Sequence, residues 1–120
     1  GWWESTGGAA KAGEDSLSAA VRELREETGL TVVSPRLVGI KEWMKHGGQT
    51  RALVLCYEAS AYTGTLTSSA EGENRWMTRA EIAAHPRGKS LLDFLPVYEN
   101  PDVTSMFYAP DGDGWTAVYR

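Results

Sequence analysis

Cysteine is nearly absent from this sequence: Cys56 stands alone among 120 residues. A single thiol excludes an internal disulfide and leaves a Cys-based zinc site without ligands. It lies in the apolar run ALVLCY, where a buried and inert thiol is expected. Histidine is scarce too. His46 and His85 each fall in or beside a turn segment, and no Ser–His or Cys–His pair offers a nucleophile with its base. Long apolar runs are missing. None approaches the roughly 18 residues of a membrane span, and no basic-then-apolar leader opens the chain. The expectation is a cytoplasmic protein with no membrane partner. Excess positive charge is missing as well. The net charge is −4, so nothing draws the chain to a nucleic-acid polymer, although a surface for a single nucleotide remains open. Repeats, low-complexity stretches and linkers are absent, which leaves one domain over residues 1–120.

What is present begins with loop-formers. Trp2 and Trp3 read as the end of a short strand, and Ser5 to Gly13 as a loop rich in Gly and Ala. Asp15 is placed to cap a helix that starts at Ser16. Leu17, Ala20, Val21 and Leu24 then follow helical spacing, and Gly29 suits the left-handed position after the last turn. Strand signals follow at Arg36 to Met44 and along Thr50 to Tyr62, with the glycines of KHGGQ as a turn between them. Thr63 to Glu73 reads as a polar loop and Asn74 to Met77 as a short strand with Trp76 packed beneath the sheet. Thr78 and Glu81 form a capping box for a helix that Pro86 stops, and Ser90 to Leu95 reads as another short helix. Met106 to Ala109 and Trp115 to Tyr119 flank PDGDG, a hairpin signal. Hairpins mixed with a few helices imply a mixed α/β sandwich.

The stretch that carries chemistry is GGAAKAGEDSLSAAVRELREETGL, Gly8 to Leu30 with the glycine before it. On a helix, Glu23 and Glu27 lie one turn apart and Glu26 is adjacent, so their carboxylates reach a common point roughly opposite the apolar stripe. Acids on a helix ordinarily form a solvated face, and Arg22 and Arg25 can neutralise them as surface pairs. The same oxygens are also what Mg²⁺ or Mn²⁺ takes, usually keeping positions for water and phosphate.

The glycine-rich lead-in and its spacing shift the balance between these. Gly8, five residues, Glu14, seven residues, Arg22-Glu23-Leu24, one residue, Glu26-Glu27, one residue and Gly29-Leu30 match the Nudix box in every fixed position. Seven fixed residues at a usage of roughly 7% each coincide by chance on the order of once in 10⁸ start positions. The chain therefore resembles the Nudix hydrolases. The resemblance implies an α/β/α sandwich with a mixed sheet and a loop–helix–loop catalytic motif. It implies hydrolysis of a nucleoside diphosphate linked to another group, with Mg²⁺ or Mn²⁺ as cofactor and a small nucleotide as partner. Glu23, Glu26 and Glu27 would be metal ligands, with Glu23 also a candidate base. Gly8 would offer its backbone carbonyl to the metal. Arg22 would orient the glutamates through ion pairs, Glu14 would be structural through a bond to Arg22 within the loop–helix–loop, and Gly29 would be structural as the turn. The acidic loop SAEGENRW resembles a second family feature, which makes Glu71 the candidate for a further metal contact or the base, and Glu73 the next.

The lead-in WESTGG resembles the WEFPGG type of the MutT-like branch, with Ser5 and Thr6 in place of an apolar residue and Pro. Lys11 stands where many members carry an acid. Lys45 and His46 occupy the spacing at which ADP-ribose pyrophosphatases carry Pro. A (deoxy)nucleoside triphosphate pyrophosphohydrolase is the favoured expectation; ADP-ribose hydrolysis and a non-catalytic nucleotide-binding regulatory domain are the alternatives. Trp2, Trp3, Trp43 and Phe94 could stack on a base, although burial in the core is the ordinary fate of such rings. Family members carry a strand and hairpin ahead of the box. The expectation is a domain whose usual N-terminal strand segment is missing because the sequence is a fragment of a longer chain; the alternative is an open edge covered by the C-terminal hairpin or by a partner subunit, such as a second copy in a homodimer.

Overall fold

The computed structural model describes residues 8–70, 72–85 and 88–120. Helix α1 spans Ser16–Thr28. The Asp15 carboxylate accepts from the Ser18 N–H at 2.8 Å, which satisfies one of the free donors of the first turn. Gly29 ends the helix at φ 79°, where its N–H donates to the Arg25 carbonyl. Both ends are those read from the sequence.

Strand β1 (Thr31–Val33) leads into β2 (Arg36–Lys45), which turns back through one 3₁₀ turn at His46–Gly48 into β3 (Thr50–Glu58). The run expected as one strand from Thr50 to Tyr62 is two. It breaks at Ala59-Ser60, and β4 (Ala61–Thr63) leaves the main sheet to pair antiparallel with β1. After β4 the chain forms α2 (Arg79–Ala84) and α3 (Lys89–Glu99), then the hairpin β5 (Ser105–Asp111) and β6 (Gly114–Tyr119). The main sheet has the order β3-β2-β5-β6 and is mixed, because β5 runs parallel to β2 while the other pairs are antiparallel.

Three further expectations change. Asn74 to Met77 is not a strand. Trp76 is not packed beneath the sheet; it is 60% exposed and its ring lies 5.3 Å from that of Tyr62. The last long helix does not stop at Leu95 but continues through Pro96 to Glu99. Proline costs that helix one backbone hydrogen bond, yet the extra turn carries Val97, which is 3% exposed and lies at the centre of the core. Thr78 and Glu81 do form the expected capping box.

Val97, Cys56 and Met106 form the buried cluster between α3 and the sheet, surrounded by Phe94, Tyr98, Val103, Tyr108 and Tyr119. Burial pushes the Cys56 thiol above its ordinary pKa, so it is an inert core residue. Successive strand residues face opposite sides. Tyr57, beside Cys56, therefore faces away from α3, and its hydroxyl lies 2.8 Å from that of Ser16 at the start of α1. Helices α1 and α3 thus cover opposite faces, and the layers are helix, sheet and helix. Phe94 is half-buried here, with the Lys41 ammonium 3.0 Å from its ring centre and 4.8 Å from that of Trp43. Trp2 and Trp3 lie outside the described residues.

Candidate active site

The site is built on the second half of α1 and the loop in front of it. Arg22 has five N–H donors in a rigid fork, and the structure pairs all of them. Nε and Nη2 donate to the two Glu14 oxygens at 2.8 and 2.9 Å. Nη1 donates to Glu23 Oε1 at 2.9 Å and to Glu26 Oε2 at 3.1 Å. Nη2 also donates to the Ala9 carbonyl at 3.3 Å. One guanidinium therefore ties the loop to the helix and points two carboxylates the same way. Its side chain is only 15% exposed, so these bonds are less diluted by solvent than ordinary surface pairs.

Gly8 completes the enclosure. A Cβ at this position would overlap the Glu23 carboxylate, so a larger residue would have to push the Glu23 side chain out of the position in which Arg22 holds it. The 8–14 loop folds back across the acidic side of α1, and Ala19, which helical geometry places on that side, is 4% exposed. The apolar stripe is less covered by comparison: Leu17 is 38% exposed, and Ala20, Val21 and Leu24 are half-buried.

Glu14 is the loop's anchor. The Arg22 side chain, followed by the Lys11 N–H, lowers its carboxyl from 4.5 to about 2. The folded pKa lies below the unfolded one, so the stabilisation is fully present above about pH 4.5 and is lost as pH falls through about 2. Urea unfolding of Glu14→Gln and wild type across pH 2 to 7 tests this. The variant is expected to be less stable at neutral pH, and the two curves should converge at the acid end. A gap of constant size would remove Glu14 from the ionic lock.

Among the described residues, no three His, Cys, Asp or Glu side chains form a metal cage by themselves. Arg22 stands between Glu23 and Glu26 instead. The donor set still fits a small hard cation. One guanidinium faces three carboxylates, which leaves net negative charge. Carboxylate and backbone oxygens are the donors Mg²⁺ prefers, and it is commonly bound by one or two carboxylates together with substrate phosphates. Glu27 is half-buried on the same turn as Glu26, and Glu73 is exposed on the loop beyond β4. Glu71 lies outside the described residues. Residue-by-residue reading of the sequence missed Asn74, whose amide reaches the carbonyl of Glu27. Its signal was only its place at the end of the acidic loop.

A mixed α/β sandwich whose first helix carries an arginine-braced acidic face, closed by a glycine, has the oxygen donors that cation-assisted chemistry on phosphates would need. Comparison with known proteins narrows the class. The NUDIX domain family model matches residues 1–98. The uncharacterized Nudix hydrolase YvcI of Bacillus subtilis (strain 168) is 30% identical over 102 residues, covering 79% of this chain; the chain spans 65% of that relative's length. The crystal structure of the mutator MutT protein from Bacillus halodurans matches with a TM-score of 0.76 at 26% identity, over 99% of this chain and 82% of that one. The chain belongs to the Nudix hydrolase family. No helix among the described residues is long and apolar enough to cross a membrane.

Proposed function

We propose that this domain hydrolyses a nucleoside diphosphate linked to another group, and that its substrate is a (deoxy)nucleoside triphosphate cut to a monophosphate and pyrophosphate. The observation that carries the proposal is the brace itself. Arg22 holds Glu23 and Glu26 in one orientation while Gly8 closes on Glu23. A merely solvated acidic face has no use for a five-bonded arginine or for so close a glycine.

Glu23, Glu26, Glu27 and the Gly8 carbonyl would hold Mg²⁺ or Mn²⁺. When bound, the cation neutralises charge at the phosphoryl oxygens. The chain's own residues do the rest. Arg22 keeps the carboxylates aligned and spends its charge on them rather than on substrate. Glu23, only 20% exposed in its side chain, is the first candidate to accept the proton of the attacking water. Glu71 is the second candidate, with Glu73 behind it. Glu14 and Gly29 shape the loop and the helix end. The triphosphate reading draws support from the WESTGG lead-in and from the likeness to the Bacillus halodurans MutT protein.

The test is a turnover screen with Mg²⁺, its products identified by mass, across nucleoside triphosphates, oxidised dGTP, ADP-ribose, NADH, dinucleoside polyphosphates and CoA. The expected result is a nucleoside monophosphate and pyrophosphate from one triphosphate. Turnover confined to ADP-ribose would overturn the substrate and keep the chemistry. Absence of turnover by a folded chain that binds nucleotide would favour the regulatory domain.

A further inference from the structure

Helix α1 ends on carbonyls that have no partner within the helix. In this chain the loop after β4 supplies the donors. The Thr67 N–H donates to the Thr28 carbonyl at 2.8 Å, and the Thr67 hydroxyl donates to the same oxygen at 3.2 Å. Asn74 does more. Its side-chain Nδ2 donates to the Glu27 carbonyl at 2.6 Å and to the Thr67 carbonyl at 2.9 Å. Its backbone N–H donates to the Ser68 hydroxyl at 3.2 Å. Both protons of one amide are therefore used, one on the helix and one on the loop. The Thr28 hydroxyl, in a residue 2% exposed, closes the turn from within by donating to the Leu24 carbonyl at 2.6 Å.

We propose that Asn74 is a positioning residue for hydrolysis, acting through the backbone of Glu27. The proposal rests on the hydrolase reading above. Arg22 braces Glu23 and Glu26 through their side chains. Asn74 braces the last turn by its main chain and joins it to the segment carrying Glu73. The chemistry demands an amide. Two carbonyl acceptors need two donors on one nitrogen. An aspartate of the same shape has none, and it would set a negative charge at the negative end of the helix dipole.

The experiment compares wild type, Asn74→Asp and Asn74→Ser, with serine retaining one donor. Mn²⁺ binding is measured by electron paramagnetic resonance without substrate. Amide hydrogen exchange is followed over residues 24–30 and over α3, and kcat and KM are measured at saturating metal. Asn74→Asp is expected to bind Mn²⁺ roughly 10–100-fold more weakly, the range for residues supporting a metal ligand. Its kcat should fall while KM for the nucleotide stays put. Exchange should quicken at residues 24–30 and not in α3. Asn74→Ser should fall between, and it carries the test alone if the aspartate variant does not fold. A folded Asn74→Asp, or in its place Asn74→Ser, with wild-type Mn²⁺ affinity and rate overturns the proposal and leaves the hydrolase reading intact. A wild-type chain that neither binds Mn²⁺ nor turns over any nucleotide overturns the hydrolase reading, and the positioning role with it. In that case the exchange data still report whether the helix end is clamped.

Discussion

Glu23→Gln is expected to turn over substrate roughly 10²–10⁴-fold more slowly than wild type and to keep its fold, the range for losing a positioned proton acceptor. The substitution preserves shape and removes charge. A neutral amide is a poorer ligand for a hard cation and cannot accept the proton of an attacking water. Glu27→Gln is expected to lose orders of magnitude by the first of these causes alone. Stability should change little, because the Glu23→Gln side chain still offers an oxygen to Arg22 Nη1 and neither residue belongs to the buried cluster of Cys56, Val97 and Met106. Circular dichroism and initial rates together check this. Loss of fold in either variant, or an unchanged rate in Glu23→Gln, would place the catalytic groups elsewhere.

Arg22→Lys is the second large effect, and charge is not its cause. Lysine keeps the positive charge but offers three donors from a single point in place of a planar fork. It cannot serve both Glu14 oxygens, Glu23, Glu26 and the Ala9 carbonyl at once. The loop would then lose its hold on the helix, and Glu23 its orientation beside Gly8. A loss of roughly 10–100-fold in metal affinity or rate is expected, as for other residues that orient metal ligands. Melting temperature should fall with it. Titration calorimetry with Mn²⁺ and thermal melts measure the two effects. Arg22→Lys with wild-type affinity and stability would reduce the five-bond brace to a surface ion pair.

The helix that carries these groups was legible because its signals are local. Asp15 caps it, Gly29 ends it, and the spacing of Glu23, Glu26 and Glu27 follows from helical geometry. The pairing of Glu14 with Arg22 was legible only through the family resemblance, since nothing in the spacing of eight residues demands it. What the sequence hid depends on distant partners. Thr50 to Tyr62 is mostly strand-forming, yet Ala61–Thr63 finds its partner in β1 and not in β2. Strand propensity names no partner. Asn74-Arg75-Trp76-Met77 looked like a strand by composition, but the Asn74 amide is committed to two carbonyls, and Trp76 stays in the open against Tyr62. The helix read as Ser90 to Leu95 runs on through Pro96 because its extra turn places Val97 at the centre of the core.

The acidic side of α1, beneath Gly8, is where the divalent cation is expected to bind. The most direct measurement is residue-resolved paramagnetic broadening of the amide spectrum by substoichiometric Mn²⁺. Broadening centred on Gly8 and on Glu23 to Glu27, and displaced by excess Mg²⁺, is expected. Broadening centred on other carboxylates, such as Asp111 and Asp113 of the C-terminal hairpin, with Gly8 and Glu23 left sharp, would contradict it.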